Sequence, residues 1–117
     1  MYPDDLRYTA EHEWVRSPGQ AEGSVSIGIT DYAQDALGDV VFVQVPSVGA
    51  TVDAGASFGE VESTKSVSDV YAPVSGVVVQ INDGLVDAPQ ALNDDPYGDG
   101  WICTIQMSDP TQYDSLL

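Results

Sequence analysis

The chemistry available to this chain centres on one amine. Lys65 is the only lysine among 117 residues, and it stands in Glu62-Ser63-Thr64-Lys65-Ser66-Val67-Ser68-Asp69, between two stretches patterned as β-strands. The chain carries 19 carboxylates and only Arg7 and Arg16 as further cationic side chains, so this amine is not one of many solubilising charges. It could act as a nucleophile, pair with a carboxylate, bind phosphate or accept a covalent group. A Schiff-base lysine is activated by burial or by a neighbouring cation. Here the neighbours are Glu62 and Asp69, which stabilise the ammonium and oppose that use. A phosphate loop needs glycines whose amides cradle the anion, and Ser63-Thr64 precede this lysine instead. An exposed lysine that serves as an acylation site is left, set against the plain alternative of a solvated surface residue.

The elements that must hold Lys65 are short β-strands. Gly and Pro recur every several residues with β-branched runs between them, the spacing of an all-β sandwich or barrel with a few short helices. Lys65 falls where two similar flanks, residues 52–62 and 67–81, must turn back on each other. The hydroxyls of Ser63, Thr64, Ser66 and Ser68 can satisfy the backbone of a tight exposed turn there. Residues 24–29 alternate as a half-buried strand, while residues 39–45 are nearly continuous apolar and read as a central strand buried on both faces. Between them, residues 30–38 carry helix signals, with Asp31 as cap, Gln34 three positions on and Gly38 as the terminating residue. Further helical turns are expected at residues 87–92 and after Asp109-Pro110.

A chain of this length fits one domain, residues 1–117, with a core large enough to fold without disulfides or metal. The formal charge of −16 argues against nucleic acid or an anionic membrane as partner, because association would release no phosphate counterions. A basic protein surface is the complementary partner, and plain solubility is the alternative account of the charge. Cys103 lacks a partner for an internal disulfide, which fits a reducing compartment, and the alternation of residues 101–107 turns it inward. The N-terminus shows no secretory or transit pattern and no apolar run suits a membrane span, so a cytoplasmic location is expected, or a mitochondrial matrix one if a transit peptide has been removed. No metal motif appears. Arg16 stands where His-Glu-x-x-His would need its second histidine, and Asp94, Asp95 and Asp99 lack calcium-loop spacing and read as a Pro/Gly turn. Trp14 and Trp101 are expected to pack rather than to bind ligand.

Glu62-Ser63-Thr64-Lys65 followed by residues 68–76, Ser-Asp-Val-Tyr-Ala-Pro-Val-Ser-Gly, resembles the lipoylation hairpin of the glycine cleavage system H proteins. Residues 12–15, 28–34, 37–43 and 93–101 resemble the same family in the same order, so the likeness runs from about Tyr8 to Pro110. The resemblance implies a lipoyl-domain-like β-sandwich, also described as a barrel-sandwich hybrid, with lipoate in amide linkage on Lys65 and Glu62, Ser63, Thr64 and Ser66 around the attachment point. It implies a carrier subunit rather than an enzyme. Its arm would take an aminomethyl group from the pyridoxal-phosphate glycine decarboxylase (P protein) to the aminomethyltransferase (T protein), and electrons to dihydrolipoamide dehydrogenase (L protein), after loading by a lipoylating enzyme. The loaded arm would fold into a surface cleft, with Glu13 and Asp69 meeting its amine while remaining dispensable for the fold. The chain ends at Asp114-Ser115-Leu116-Leu117, where the family pattern usually continues.

Rival carriers fit less well. A biotin carrier flanks its lysine with methionines, whereas Thr64 and Ser66 stand here; a lipoyl domain of a 2-oxo acid dehydrogenase reads Asp-Lys-Ala and is joined by a linker to a catalytic core. An H-like protein that stores or relays lipoyl groups, or acts in redox signalling, is the alternative within the family. A purely structural adaptor with an unmodified Lys65 is the alternative outside it.

Overall fold

The structure, a computed structural model, describes residues 6–9, 12–16, 23–109, 112 and 116. Two antiparallel sheets enclose a shared core. The larger comprises β1 (Arg7–Tyr8), β2 (Glu13–Arg16), β3 (Ser24–Ile29), β9 (Cys103–Met107), β8 (Gly76–Ile81) and β5 (Thr51–Val52), in that order. The smaller has β6 (Ser57–Ser63) at its centre, between β4 (Val40–Gln44) and β7 (Val67–Tyr71). Val25, Ile27, Cys103, Ile105 and Val78 from the larger sheet meet Val43, Val61 and Val70 from the smaller. The architecture is a β-sandwich, mainly β with short helices, as the sequence leads one to expect.

Residues 24–29 do form a strand, but it is not half-buried. Trp14 lies directly opposite Gly28 on the face of β3 turned away from the core, and the indole fills the space a side chain would take. Its Nε1 donates to the Pro96 carbonyl at 2.8 Å and the Tyr97 ring lies 6.4 Å away, so the 96–97 turn covers that face as well. Cover on both faces accounts for a strand in which Ser24 and Gly28 are buried with Val25, Ile27 and Ile29, and only Ser26 stays partly exposed.

The expectation for residues 39–45 is corrected in the opposite sense. β4 is an edge strand of the smaller sheet, and a bulge between Val40 and Phe42 leaves Val41 and Phe42 together on the outside, 49 % and 48 % exposed. A bulge breaks the two-residue alternation, so an apolar run here does not mean burial on both sides. Only Val40 and Val43 of this strand are buried.

Helix α1 (Asp31–Leu37) joins the sheets. Its cap is Thr30 rather than Asp31: the Thr30 hydroxyl accepts from the Ala33 amide at 3.2 Å. Asp31 instead accepts from Gln34 Nε2 at 2.8 Å, and this bond holds its carboxyl below the usual range. Gly38 ends the helix at φ 84°, as expected of a terminating glycine. The helix expected at 87–92 is replaced by two single turns, α2 (Gly84–Asp87) and α3 (Ala91–Asp94), with Pro89 between them. The helix expected after Asp109 begins at residues 110–111, which lie outside those described. Cys103 faces inward and is fully buried, which pushes its thiol up to about 12. No helix among the described residues is long and apolar enough to cross a membrane.

Candidate functional site

Strands β6 and β7 pair down to Glu62 opposite Val67, and the chain reverses through Thr64, Lys65 and Ser66. Ser63 builds that turn. Its amide donates to the Ser66 carbonyl at 2.8 Å, and its hydroxyl oxygen accepts from the Lys65 and Ser66 amides, each at 3.1 Å. A short hydroxyl side chain makes such local bonds readily. Ser63 is buried, whereas Glu62, Thr64, Lys65 and Ser66 are exposed. The structure therefore assigns Ser63 to the frame of the hairpin and leaves the others on its surface.

The tip is tied to the end of α1. The Thr64 amide donates to the Asp39 carbonyl at 3.0 Å, and the Lys65 stem lies against Gly38. A Cβ on Gly38 would sit 3.2 Å from Lys65 Cε and 3.6 Å from Nζ, close enough that the stem would have to shift slightly, while the φ of 84° is what calls for glycine there. Asn93 fixes this floor from behind. Its Oδ1 accepts from the Val40 amide at 2.8 Å, while its Nδ2 donates to the Gly38 carbonyl at 2.8 Å and to Gln34 Oε1 at 3.0 Å. One side chain thus joins α1, β4 and α3.

Beyond Gly38 a cleft of about 210 Å³ opens between α1 and the hairpin. Ile29, Ala33, Leu37, Val61 and Val70 line it, with Glu13, Ser68 and Asp69 as polar members and His12 and Tyr32 completing the wall. The His12 and Tyr32 rings meet at 4.5 Å between centroids, tilted by 45°. His12 holds a left-handed backbone, φ 68°, kept by bonds from its amide to the Thr9 carbonyl and from the Thr30 amide to its own carbonyl.

The structure brings Glu13 and Asp69 to the same cleft but gives them different settings. Glu13 is only 2 % exposed. Its Oε1 accepts from the Thr9 hydroxyl at 2.5 Å and its Oε2 from the Tyr71 amide at 3.2 Å, tying β2 to β7 across the sandwich. Glu13 is therefore part of the frame, against the expectation that the fold can do without it. Asp69 is exposed and accepts from the Ser57 hydroxyl at 3.2 Å. In register it shares a face with Glu60 and Gln44, whereas Ser68 shares the opposite face with Val61 and Val43. Asp69 is thus a rim residue, and Ser68 is the neighbour that shares the inward face.

Sequence reasoning missed Tyr32, Asn93 and Thr9. Tyr32 offered a signal, a large aromatic in the first turn of a helix that must pack against sheets. Asn93 opens the 93–101 segment singled out above, but nothing local gives its role, since its partners lie 53 to 59 residues away. Among the described residues no group of His, Cys, Asp or Glu side chains is placed to hold a metal ion.

A β-sandwich that displays a lone lysine on a braced hairpin, beside a cleft with a buried carboxylate, defines a lipoyl-type domain by fold. The sequence matches the family described as Glycine cleavage H-protein over residues 6–117. It is 61 % identical over 115 residues to the glycine cleavage system H protein of Mycobacterium avium, covering 98 % of this chain and 86 % of that one. The H protein of an Anaeromyxobacter species is 55 % identical, with 98 % and 88 % covered. The fold matches the crystal structure of a glycine cleavage system H protein from Mycobacterium marinum with a TM-score of 0.85 and 54 % identity, covering 92 % of this chain and 87 % of that one. The chain belongs to the glycine cleavage H-protein family, and its role is that of an H protein of the glycine cleavage system.

Proposed function

We propose that Lys65 carries lipoate in amide linkage, and that residues 1–117 act as a single carrier domain between the P, T and L proteins after loading by a lipoylating enzyme. The observation that carries this reading is the setting of Lys65: it is exposed at a braced tip, with its stem against Gly38, the residue that follows Leu37 in the cleft wall. The residues present fit the group. The cleft is mostly apolar, which suits a hydrocarbon arm, and it holds a buried carboxylate, which suits a cationic cargo. When attached, lipoate supplies a disulfide that accepts an aminomethyl group and an electron pair.

The chain's own residues supply position and shelter. Amide formation at Nζ removes the charge of Lys65 and leaves its stem uncharged against Gly38. Ser63 and the Thr64–Asp39 bond hold the base of the arm still, so that one anchor serves several active sites at high effective concentration. Glu13 meets the cargo amine inside the cleft and Asp69 meets it at the rim. A charge-assisted bond of this kind is strong where water is excluded, and the apolar wall of Ile29, Leu37 and Val61 excludes it. Shelter matters because a bare aminomethyl cargo loses its methylene to water as formaldehyde.

The test is reconstitution. Wild-type chain, lipoylated in vitro and mixed with P, T and L proteins, should support glycine cleavage, whereas Lys65→Arg, whose guanidinium forms no lipoyl amide, should not. Glycine cleavage supported by Lys65→Arg would overturn the proposal.

A further inference from the structure

The outward face of the smaller sheet carries a surface that, Asp69 at the rim apart, the cleft does not use. Phe42, Glu62 and Val67 stand opposite one another in a single row across β4, β6 and β7, and directly opposed residues in antiparallel strands share a face. Phe42 is 48 % and Val67 57 % exposed, and the bulge sets Val41, 49 % exposed, beside them. The next row, Gln44, Glu60 and Asp69, is exposed as well. Every charge borne by these three strands is therefore negative, and Lys65, at the tip they form, is the one cation adjoining the face. Arg7 and Arg16 belong to the other sheet. Apolar side chains ringed by charge of one sign are the anatomy of a protein contact, with the apolar centre supplying affinity and the rim supplying partner choice.

Reach decides which partner it is. Once an arm is attached, an enzyme can draw it in from a distance. Before attachment, the amine hangs on a four-carbon stem that lies against Gly38, and an enzyme acting on it must settle directly on the hairpin. The row begins at Val67, two residues from Lys65 and within about 7 Å along an extended chain. We infer that the Phe42–Glu62–Val67 face is the docking surface of the enzyme that acylates Lys65, and that this enzyme presents an apolar socket for Phe42 and Val67 within a basic surface facing Glu60, Glu62 and Asp69. In the reaction it serves, Nζ loses a proton and attacks the carbonyl of an activated acyl donor. The C–N bond forms, the bond to the leaving group breaks with its electron pair, and a second proton leaves the nitrogen.

This inference rests on Lys65 being the acylated residue, and the experiment separates the two claims. Unmodified wild-type chain, Phe42→Ser, Val67→Ser and the control Val79→Ser, a valine 47 % exposed on the larger sheet, are titrated as substrates of a purified lipoate-attaching enzyme. Product is read by intact mass. Direct binding of each substitution in a Lys65→Ala background is measured without lipoate. Phe42→Ser and Val67→Ser should each raise KM about tenfold with kcat within about twofold, since truncating an anchor costs on the order of 1.4 kcal/mol. Direct binding should weaken in the same order, the control should match wild type, and Glu60→Gln should flatten the salt dependence of KM. Wild type modified on Lys65 with both row variants at wild-type KM would overturn the docking surface and leave the Lys65 reading standing. Wild type that accepts no lipoyl group would sink both.

Discussion

Replacing Glu13 separates what its carboxylate does for the fold from what it does for the cargo. Glu13→Ala removes the acceptor of the Thr9 hydroxyl and of the Tyr71 amide, both in a wall that is 2 % exposed at Glu13 itself. Two hydrogen bonds to a charged group, less the relief of its desolvation, amount to about 3 kcal/mol. For a domain of this size that lowers Tm by about 10–20 °C. Glu13→Gln keeps an oxygen acceptor at the same place and should cost about 1 kcal/mol, so it is the variant in which the cargo can be watched. A charged acceptor exceeds a neutral one by about 1–1.5 kcal/mol, which corresponds to a five- to tenfold faster loss of the sheltered state. The assay loads the lipoylated variants with aminomethyl cargo, removes the P protein, and follows formaldehyde and ammonia release without T protein. Thermal melts of the same samples read the fold. Decay of Glu13→Gln at the wild-type rate would refute the role of the carboxylate toward the cargo, and a Glu13→Ala melt at the wild-type temperature would refute its role in tying β2 to β7.

Three further outcomes follow from the same structure. Asn93→Ala should destabilise the chain by about 3 kcal/mol in chemical denaturation, because three side-chain bonds are lost and the Val40 amide is left without its acceptor; Asn93→Asp should fare little better, as its oxygens would face the Gly38 carbonyl. Gly28→Ala should cost about 1–3 kcal/mol or prevent folding, since its Cβ would stand 2.5 Å from the Trp14 ring, and an unchanged Tm would contradict the packing described. Cys103 stays protonated in the fold while the unfolded thiol ionises from about pH 9, so stability should fall between that pH and about 12. Cys103→Ala should be less stable at neutral pH but flatten this alkaline limb in melts taken across the range.

The turn at Lys65 and the sheets around it were legible because their signals are local. The hydroxyl-rich 63–66 segment, the apolar alternation of the flanks and the glycine at position 38 each act within a few residues, and the structure uses them as their chemistry indicates. The errors arose where the third dimension decides. Residues 24–29 look half-buried until the indole of Trp14 and the 96–97 turn are laid on their polar face. Residues 39–45 look central until a bulge turns Val41 and Phe42 outward together. Glu13 was found as a candidate for the cleft, yet its burial was invisible, because the groups that hold it come from Thr9 on one side and from Tyr71, 58 residues along the chain, on the other. The Asn93 clamp escaped for the same reason, with all its partners brought by folding.

The central claim, that Lys65 is the anchor of a lipoyl arm, is tested most directly by intact mass and peptide mapping of the wild-type chain after expression in a lipoylation-competent host supplied with lipoate. The account predicts a mass gain of one lipoic acid less one water, carried wholly by the peptide that spans Glu62 to Asp69 and abolished in Lys65→Arg. A wild-type chain that remains unmodified, or a lipoyl group found on any other residue, would contradict it.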